Sequence, residues 1–212
     1  MTDKICTTNA DQHPTILFYF DYISPFGWIA AERIGELAAR HGRSVTWRPI
    51  LLKATVVEAM GLPPLLDTPL KGPYLLHDAK RQARLYGLRL HKGAGGLFSS
   101  VAAARATVWA RRFAPDAVEP LILALYRCRM QDGADISTPQ SVVAIAAKAG
   151  IDADALAVAL DDPAVKAELK SDIDDAIRQG IFGSPTLVID GEAFWGSDRI
   201  DQAMSWMVGG GW

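Results

Sequence analysis

The amino-acid sequence predicts an α/β fold in which a long all-helical segment interrupts a small sheet. Three observations lead to this prediction: a strand–helix–strand order over residues 16–51, a run of helical patterns between 53 and 180, and a hairpin pattern at 184–195. Strand, helix and strand in that order form a βαβ unit with a parallel strand pair. The hairpin, which follows the helical segment in the chain, then completes the sheet.

The first strand leads directly into a helix N-terminus. Residues 16–20, ILFYF, are apolar and aromatic, which is typical of a buried strand. After a turn at 21–23, Ser24 can cap the next helix, and Pro25 suits its first position. One hydroxyl therefore lies beside unpaired backbone N–H groups, an arrangement that can hold an anion. On this stretch alone, helix capping is the simpler explanation of Ser24.

The rest of the βαβ unit follows from apolar spacing. Apolar residues recur at Ile29, Ile34 and Leu37, and Gly42 ends the pattern, which predicts an amphipathic helix with a glycine C-cap. Residues 44–51, SVTWRPIL, predict the second strand.

The segment from 53 to 180 contains no convincing strand pattern. Proline and glycine separate six stretches with helical periodicity. These stretches are residues 75–86, 99–113, 118–130, 139–149, 152–160 and 163–179. We therefore predict a discontinuous sheet domain made of 15–52 and 181–208, with 53–180 as a helical insertion domain.

The last part of the chain predicts a hairpin and a closing helix. Residues 184–189 and 192–195 are strand-like, and the Asp190-Gly191 pair between them is a strong hairpin signal. A helix is predicted at 199–207.

Composition limits the classes of partner. The 212 residues are 50% hydrophobic and carry a formal net charge of −2. No basic excess favours nucleic acid or an anionic membrane surface, so we expect a small-molecule partner. No apolar run has the length of a membrane span, and the N-terminal segment has no signal-peptide pattern, which predicts a cytoplasmic location. Cys6 and Cys128 lack CxxC or metal-ligand spacing, so neither a disulfide nor a metal site is expected.

Four stretches in this order resemble a known family: FDYISPFGW, WRPILL, KGPYLLHDAKRQARLYGL and GIFGSPTLVIDGEAFWGSDRI. They are similar to the 2-hydroxychromene-2-carboxylate isomerases and the kappa-class glutathione transferases, and the resemblance spans residues 15–207. It implies a thioredoxin-like fold with an inserted all-helical domain. Ser24 stands where disulfide oxidoreductases of this fold carry their first cysteine. A serine supplies no thiolate, so thiol–disulfide exchange is excluded at this position.

The resemblance also implies glutathione as the cofactor and assigns residues to it. Ser24 is the expected catalytic residue, its hydroxyl stabilising the glutathione thiolate. Ser184 and Pro185 occupy the family's cis-proline position, where the backbone before the proline pairs with the cysteinyl residue. Ser197 and Asp198 match the positions that bind the γ-glutamyl end. Without the family resemblance, a trans bond is the simpler interpretation of Ser184-Pro185. A helix cap then explains Ser197-Asp198 as well as ligand binding does.

Residues on the substrate side are less well defined. The isomerases place a lysine after the second strand, whereas this sequence has Val56 there and Lys53 three residues earlier. Lys53, Tyr74 and Tyr86 are candidates for binding the substrate, although a solvated helical face explains such residues equally well. The glycine-rich stretch at 91–100 is a lid or simply a connection.

The function expected from these observations is a glutathione-dependent cis-trans isomerase. It would act on an aromatic-degradation intermediate such as 2-hydroxychromene-2-carboxylate, by reversible thiolate addition and bond rotation. The alternatives are a kappa-like glutathione transferase that conjugates electrophiles and a non-catalytic thioredoxin-fold binding module. The resemblance also implies a homodimer.

Overall fold

The computed structural model describes residues 15–94, 96 and 98–212, and it contains a four-stranded mixed sheet. In the order β2-β1-β3-β4, the strands are β1 (Thr15–Phe20), β2 (Ser44–Pro49), β3 (Thr186–Ile189) and β4 (Glu192–Trp195). Strands β1 and β2 are parallel, and β1–β3 and β3–β4 are antiparallel. The predicted βαβ unit and hairpin are both present.

The helices of the predicted insertion all occur. In chain order the α-helices are α1 (Pro25–Arg40), α2 (Lys71–Leu85), α3 (Val101–Phe113), α4 (Val118–Met130), α5 (Pro139–Lys148), α6 (Ala153–Ala159), α7 (Pro163–Arg178) and α8 (Ile200–Gly209). Most boundaries lie within two residues of the prediction. A π-helical turn at Lys53–Ala59 and 3₁₀ turns at Leu65–Asp67, Pro115–Ala117 and Ser197–Arg199 were not predicted.

Helix α2 begins four residues before its predicted start. The Gly72-Pro73 pair predicts a break before the helix, but both residues lie in its first turn. Proline is tolerated there because the first N–H groups of a helix have no partner within the helix. Leu70 precedes the helix with a positive φ of 66°.

The two faces of the sheet bury different sets of side chains. Ile16, Phe18 and Phe20 of β1 pack in the main core, which also contains buried residues of α1, α4, α5, α6 and α8. Tyr19, on the opposite face, packs with Ala176 of α7. The main core is continuous across the predicted boundary between sheet domain and insertion, and α7 packs on the sheet. The boundary itself stays a prediction.

A partly buried ionic cluster joins α7 to the sheet edge. Arg111 of α3 pairs with Asp172 and, at 3.2 Å, with Glu168, both on α7. Arg48 of β2 lies 3.1 Å from the same Asp172 carboxylate. Three elements from separate parts of the chain therefore meet at one carboxylate.

Across the described ranges, none of the helices combines the length and the apolar character needed to cross a membrane.

Candidate active site

Ser24 lies at the point where β1 turns into α1. It caps the helix: its Oγ accepts a hydrogen bond from the Gly27 N–H at 3.0 Å. The same hydroxyl donates to the Ser184 carbonyl oxygen at 2.9 Å, and the residue is only 5% exposed. No acidic residue lies in the first turn of α1, so the positive end of the helix dipole is not neutralised there.

Ser184 and Pro185 face Ser24, and the peptide bond between them is cis. The Ser184 hydroxyl oxygen accepts a hydrogen bond from the Asp21 N–H at 2.9 Å. The Pro185 carbonyl accepts one from the Gly196 N–H at 2.9 Å, so the β3–β4 pairing continues past the end of the strands. This bond brings the segment that starts with Ser197 to the same end of the sheet.

Ser197 and Asp198 have different environments in the 3₁₀ turn before α8. Ser197 is 1% exposed, and its hydroxyl donates to Gln82 Oε1 of α2 at 2.7 Å. The hydrogen of this hydroxyl is therefore used within the fold, where it ties α2 to the turn. The role of Ser197 at the γ-glutamyl end stays a prediction. The Asp198 side chain is 57% exposed, and its carboxylate lies 3.8 Å from the Arg199 guanidinium. Only the aspartate presents its side chain to solvent.

The three candidates on the substrate side do not form one group. Lys53 is exposed at the start of the π-helical turn, 3.6 Å from Glu58. The exposed Tyr74 accepts a hydrogen bond from Arg81 at 3.3 Å.

Tyr86 lies against α1 and not beside Ser24. The Arg33 guanidinium is 3.9 Å from the Tyr86 ring centroid. Arg33 follows Ser24 by nine residues, which is roughly 13 Å along a helix axis. The structure therefore places Tyr86 beside the middle of α1, away from the serine end.

Sequence reasoning missed Asp21, a buried residue whose carbonyl accepts a hydrogen bond from the Ser24 N–H at 2.9 Å. Its carboxylate accepts from the Ile23 N–H at 3.2 Å and from the Leu52 N–H at 2.7 Å. Burial raises the pKa of the Asp21 carboxyl, and hydrogen bonds from the Ser100 hydroxyl and from backbone N–H groups oppose that rise. In the sequence it is an ordinary turn residue, and nothing local indicates partners 31 or more residues away.

Two buried tyrosines, Tyr22 and Tyr126, belong with Asp21 to a buried polar layer next to Ser24. The Tyr126 hydroxyl donates to the Asp21 carbonyl at 2.9 Å, and the Tyr22 hydroxyl is 2.6 Å from that of Thr107. Burial raises the pKa of Tyr22 and of Tyr126 above the ordinary value of 10.0, so both phenols stay neutral at physiological pH. They act in this layer as hydrogen-bonding groups.

Gly27 allows this layer to close on α1. A Cβ at this position would lie 2.6 Å from the Tyr126 hydroxyl oxygen and 2.8 Å from Ser184 Oγ. These distances are too short for any side chain, so the close approach requires glycine.

An aromatic pair lies next to Ser184 on the chain and in space. The rings of Phe182 and Trp195 meet edge to face with centroids 4.9 Å apart, and the two residues are 41% and 50% exposed. The Trp195 indole covers Gly183, where a Cβ would clash with the indole Nε1. The Thr55 hydroxyl donates to the Phe182 carbonyl at 3.2 Å. The pair thus offers an apolar surface beside the cis proline.

The described part of the glycine-rich stretch is held against α4. Arg129 donates to the carbonyl oxygens of Gly93 and Gly96 at 3.4 and 3.0 Å, and its guanidinium covers the Phe98 ring. Arg129 therefore holds the described middle of the stretch against α4. Cys128 is half-buried on the same helix. Cys6 lies outside the described residues, so the expected absence of a disulfide stays a prediction.

Within ranges 15–94, 96 and 98–212, no three His, Cys, Asp or Glu side chains are grouped so as to hold a metal ion.

The sheet, the helical insertion and the cis proline facing the start of α1 define a class of protein: a thioredoxin fold of the DsbA type, here with serine at the helix N-terminus. Residues 15–206 match the DSBA-like thioredoxin domain, and the chain belongs to that family. This confirms the predicted fold class.

Individual relatives agree with the resemblance seen in the sequence. The chain is 31% identical over 195 residues to a 2-hydroxychromene-2-carboxylate isomerase of Sphingobium xenophagum, covering 92% of this chain and 98% of the relative. It is 29% identical to glutathione S-transferase kappa 1 of Homo sapiens, covering 88% of each chain. A solved 2-hydroxychromene-2-carboxylate isomerase superposes with a TM-score of 0.78 at 26% identity, covering 92% of this chain and 94% of that one.

Proposed function

We propose that this protein is a glutathione-dependent isomerase of an aromatic-degradation intermediate such as 2-hydroxychromene-2-carboxylate. One observation carries the proposal. Ser24 lies at the N-terminus of α1 in contact with the residue before a cis proline, in a chain 31% identical to such an isomerase. The proposal covers the reaction, the cofactor and the roles of the site residues.

The groups present at the site fit glutathione in chemical type. In the described part of the chain the Ser184 N–H has no hydrogen-bond acceptor, so it is available to a peptide-like ligand. The exposed Asp198 carboxylate suits an ammonium group. The start of α1 suits a negative charge. Two expected ligand groups already have partners within the fold: the Ser197 hydroxyl donates to Gln82, and the Ser24 hydroxyl donates to the Ser184 carbonyl.

Ser24 would change its hydrogen-bond partner when glutathione binds. Its single hydroxyl hydrogen points to the Ser184 carbonyl, and its oxygen accepts from the Gly27 N–H. To stabilise a thiolate, the hydroxyl has to turn its hydrogen outward while the oxygen keeps capping α1. Bound glutathione would supply a thiolate as the nucleophile for reversible addition to a conjugated double bond. Ser24 and the helix N-terminus favour that ionised form.

The surface beside the site is suited to an aromatic acid. Phe182 and Trp195 present apolar ring surface beside Ser184. Lys53 supplies an exposed cation on the segment that also contacts Phe182 through Thr55. We assign Lys53 to the substrate carboxylate and retain the exposed Tyr74 as a second candidate. The position of Tyr86 against Arg33 supports a packing role instead.

A kappa-like transferase is the second candidate, favoured by the 29% identity to the human kappa enzyme. It would use the same glutathione site and release a conjugate. A non-catalytic binding module is the third. A homodimer and a cytoplasmic location are part of the proposal and rest on the family resemblance.

The deciding experiment measures product and total glutathione together. With 2-hydroxychromene-2-carboxylate, an isomerase forms product only when glutathione is present and leaves its total amount unchanged. With 1-chloro-2,4-dinitrobenzene, a transferase consumes one glutathione per conjugate. A calorimetric titration that detects no glutathione binding would exclude both enzymes and leave the binding module.

A further inference from the structure

We propose that Asp21 is a positioning residue, which fixes Ser24 by tying the start of α1 to the segment after β2, to α4 and to the segment before β3. This inference rests on the proposed function, because Ser24 is the residue being positioned.

The Asp21 side chain joins two segments by their backbone. Its Oδ1 accepts from the Ile23 N–H at 3.2 Å, which shapes the turn that leads to Ser24. Its Oδ2 accepts from the Leu52 N–H at 2.7 Å, one residue before the π-helical turn. The carboxylate thus fixes the start of α1 relative to the segment that carries Lys53.

The Asp21 backbone makes three further hydrogen bonds. Its carbonyl accepts from the Ser24 N–H and from the Tyr126 hydroxyl of α4, both at 2.9 Å. Its N–H donates to the Ser184 hydroxyl oxygen at 2.9 Å. Asp21 therefore hydrogen-bonds both the Ser24 backbone and Ser184, the residue whose carbonyl accepts from the Ser24 hydroxyl.

The environment of Asp21 favours anchoring and not ion pairing. The residue is 2% exposed, and within the described ranges no cation lies within salt-bridge distance of it. Its partners are N–H and O–H donors. An amide could not replace it fully, because one of its two ends would present a donor to the Ile23 or Leu52 N–H. Such a buried mismatch is costly.

The test compares Asp21→Asn with Asp172→Asn in the full chain. Asp172 is a matched control, since its side chain is 12% exposed and bonded to Arg48 and Arg111, outside the candidate site. Without ligand, amide hydrogen exchange at Ser24, Gly27 and Leu52 should accelerate at least tenfold in Asp21→Asn. The same amides should be unchanged in Asp172→Asn.

A second readout separates positioning from a direct effect of charge. The pKa of glutathione bound to each variant is measured from thiolate absorbance. If Asp21 positions Ser24, the thiol pKa rises in Asp21→Asn, because the Ser24 hydroxyl is no longer held in place. If the carboxylate acts only through its negative charge, its removal lowers the thiol pKa and the proposal is wrong.

If Asp21→Asn does not fold, a third variant tests whether Asp21 positions Ser24. Tyr126→Phe removes one hydrogen bond to the Asp21 carbonyl and retains the ring. Faster exchange at Ser24 and Gly27 would support the inference. Unchanged exchange in a folded Tyr126→Phe, or unchanged exchange in a folded Asp21→Asn, would overturn it. Failure of the wild type to bind glutathione would contradict the proposed function and leave the exchange result valid.

Discussion

At the scale of single residues, the Ser24 hydroxyl has two roles, one in capping α1 and one in the proposed reaction. Ser24 caps α1 through its oxygen and holds a hydrogen that the proposed reaction needs elsewhere. Ser24→Ala should lower kcat/KM by about 2–3 kcal/mol of transition-state stabilisation, the range of a lost charge-assisted hydrogen bond. It should also lower the free energy of unfolding by about 1 kcal/mol through the lost cap.

Thr138→Ala provides the matched control for that prediction. Thr138 caps α5 by accepting from the Ser141 N–H. Its loss should reduce stability by a similar amount without changing the glutathione kinetics. Equal kinetic losses in both variants would show that the effect of Ser24→Ala is only a stability effect.

Asp198 is predicted to bind the ammonium of glutathione. Asp198→Asn should weaken glutathione binding roughly tenfold, as expected for one charged hydrogen bond of about 1.5 kcal/mol. Binding of cysteinylglycine, which lacks the γ-glutamyl residue, should change little. Titration calorimetry with both thiols tests this, and equal weakening of the two would contradict the assignment.

Two glycines on the same helix should respond differently to alanine. A Cβ at Gly27 meets the Tyr126 and Ser184 oxygens, which are buried and hydrogen-bonded, so Gly27→Ala should destabilise by about 1–3 kcal/mol. At Gly35 the Cβ meets only the end of the flexible Glu119 side chain, which can move. Gly35→Ala should be neutral or stabilising by up to about 1 kcal/mol, from helix propensity. Urea denaturation of both variants measures the difference.

At the scale of elements, periodicity was sufficient for most of the fold. The β-branched and aromatic run of β1, the Asp190-Gly191 turn and the apolar repeats of the insertion each depend on neighbours in sequence. The π-helical turn was missed because residues 53–59 have no distinctive pattern. The early start of α2 was missed because Pro73 has the same appearance before a helix as in its first turn.

The candidate site was predicted only in the residues that resemble a family motif. Ser24 and the cis bond at Ser184-Pro185 lie where the motif indicated. Asp21 and Tyr126 were missed because their bonds join segments 105 residues apart, and no spacing along the chain encodes such a pair. The use of the Ser197 hydroxyl by Gln82 was hidden for the same reason.

Arg111 should stabilise the packing of α3 against α7 and β2. Its guanidinium meets Glu168 and Asp172 and has a side-chain exposure of 16%. Arg111→Ala would leave the Asp172 carboxylate, 12% exposed, with Arg48 as its remaining cation. We expect a loss of about 2–4 kcal/mol, somewhat below that of a fully buried pair.

The exposed pair of Arg40 with Glu36 is the control for that loss. Arg40→Ala should change stability by no more than about 0.5 kcal/mol, as is usual for surface pairs on a helix. Thermal or urea unfolding of the two variants gives the comparison. Similar losses at both positions would show that burial does not strengthen the Arg111 cluster.

At the scale of the whole molecule, Asp21 should make stability depend on pH. Burial raises its pKa in the folded state above the ordinary 3.8, so the native protein binds this proton more tightly than the unfolded chain. Its contribution to stability is therefore complete below pH 3.8 and is lost as the pH rises through the folded pKa. Urea denaturation between pH 3.5 and roughly 8 should show this decline in wild type relative to Asp21→Asn.

Comparing wild type with Asp21→Asn removes the contribution of the other titrating groups to the pH dependence of stability. Glu119 also has a pKa raised by burial, and it is the same in both proteins. A stability difference between wild type and Asp21→Asn that is constant with pH would contradict the assignment of this titration to Asp21.

The contact between Ser24 and Ser184 joins residues 160 positions apart, which has a consequence during synthesis. At roughly 5–20 residues per second, a ribosome adds that length of chain in roughly 8–30 s. For most of that interval β1, α1 and β2 have been synthesised and β3 has not, so the edge of β1 that will receive β3 has no partner. Tyr126 is synthesised before Ser184, so α4 can pack on the Asp21 turn before β3 exists. The residues around the Asp21 turn can therefore come together before the strand that supplies Ser184 and Pro185.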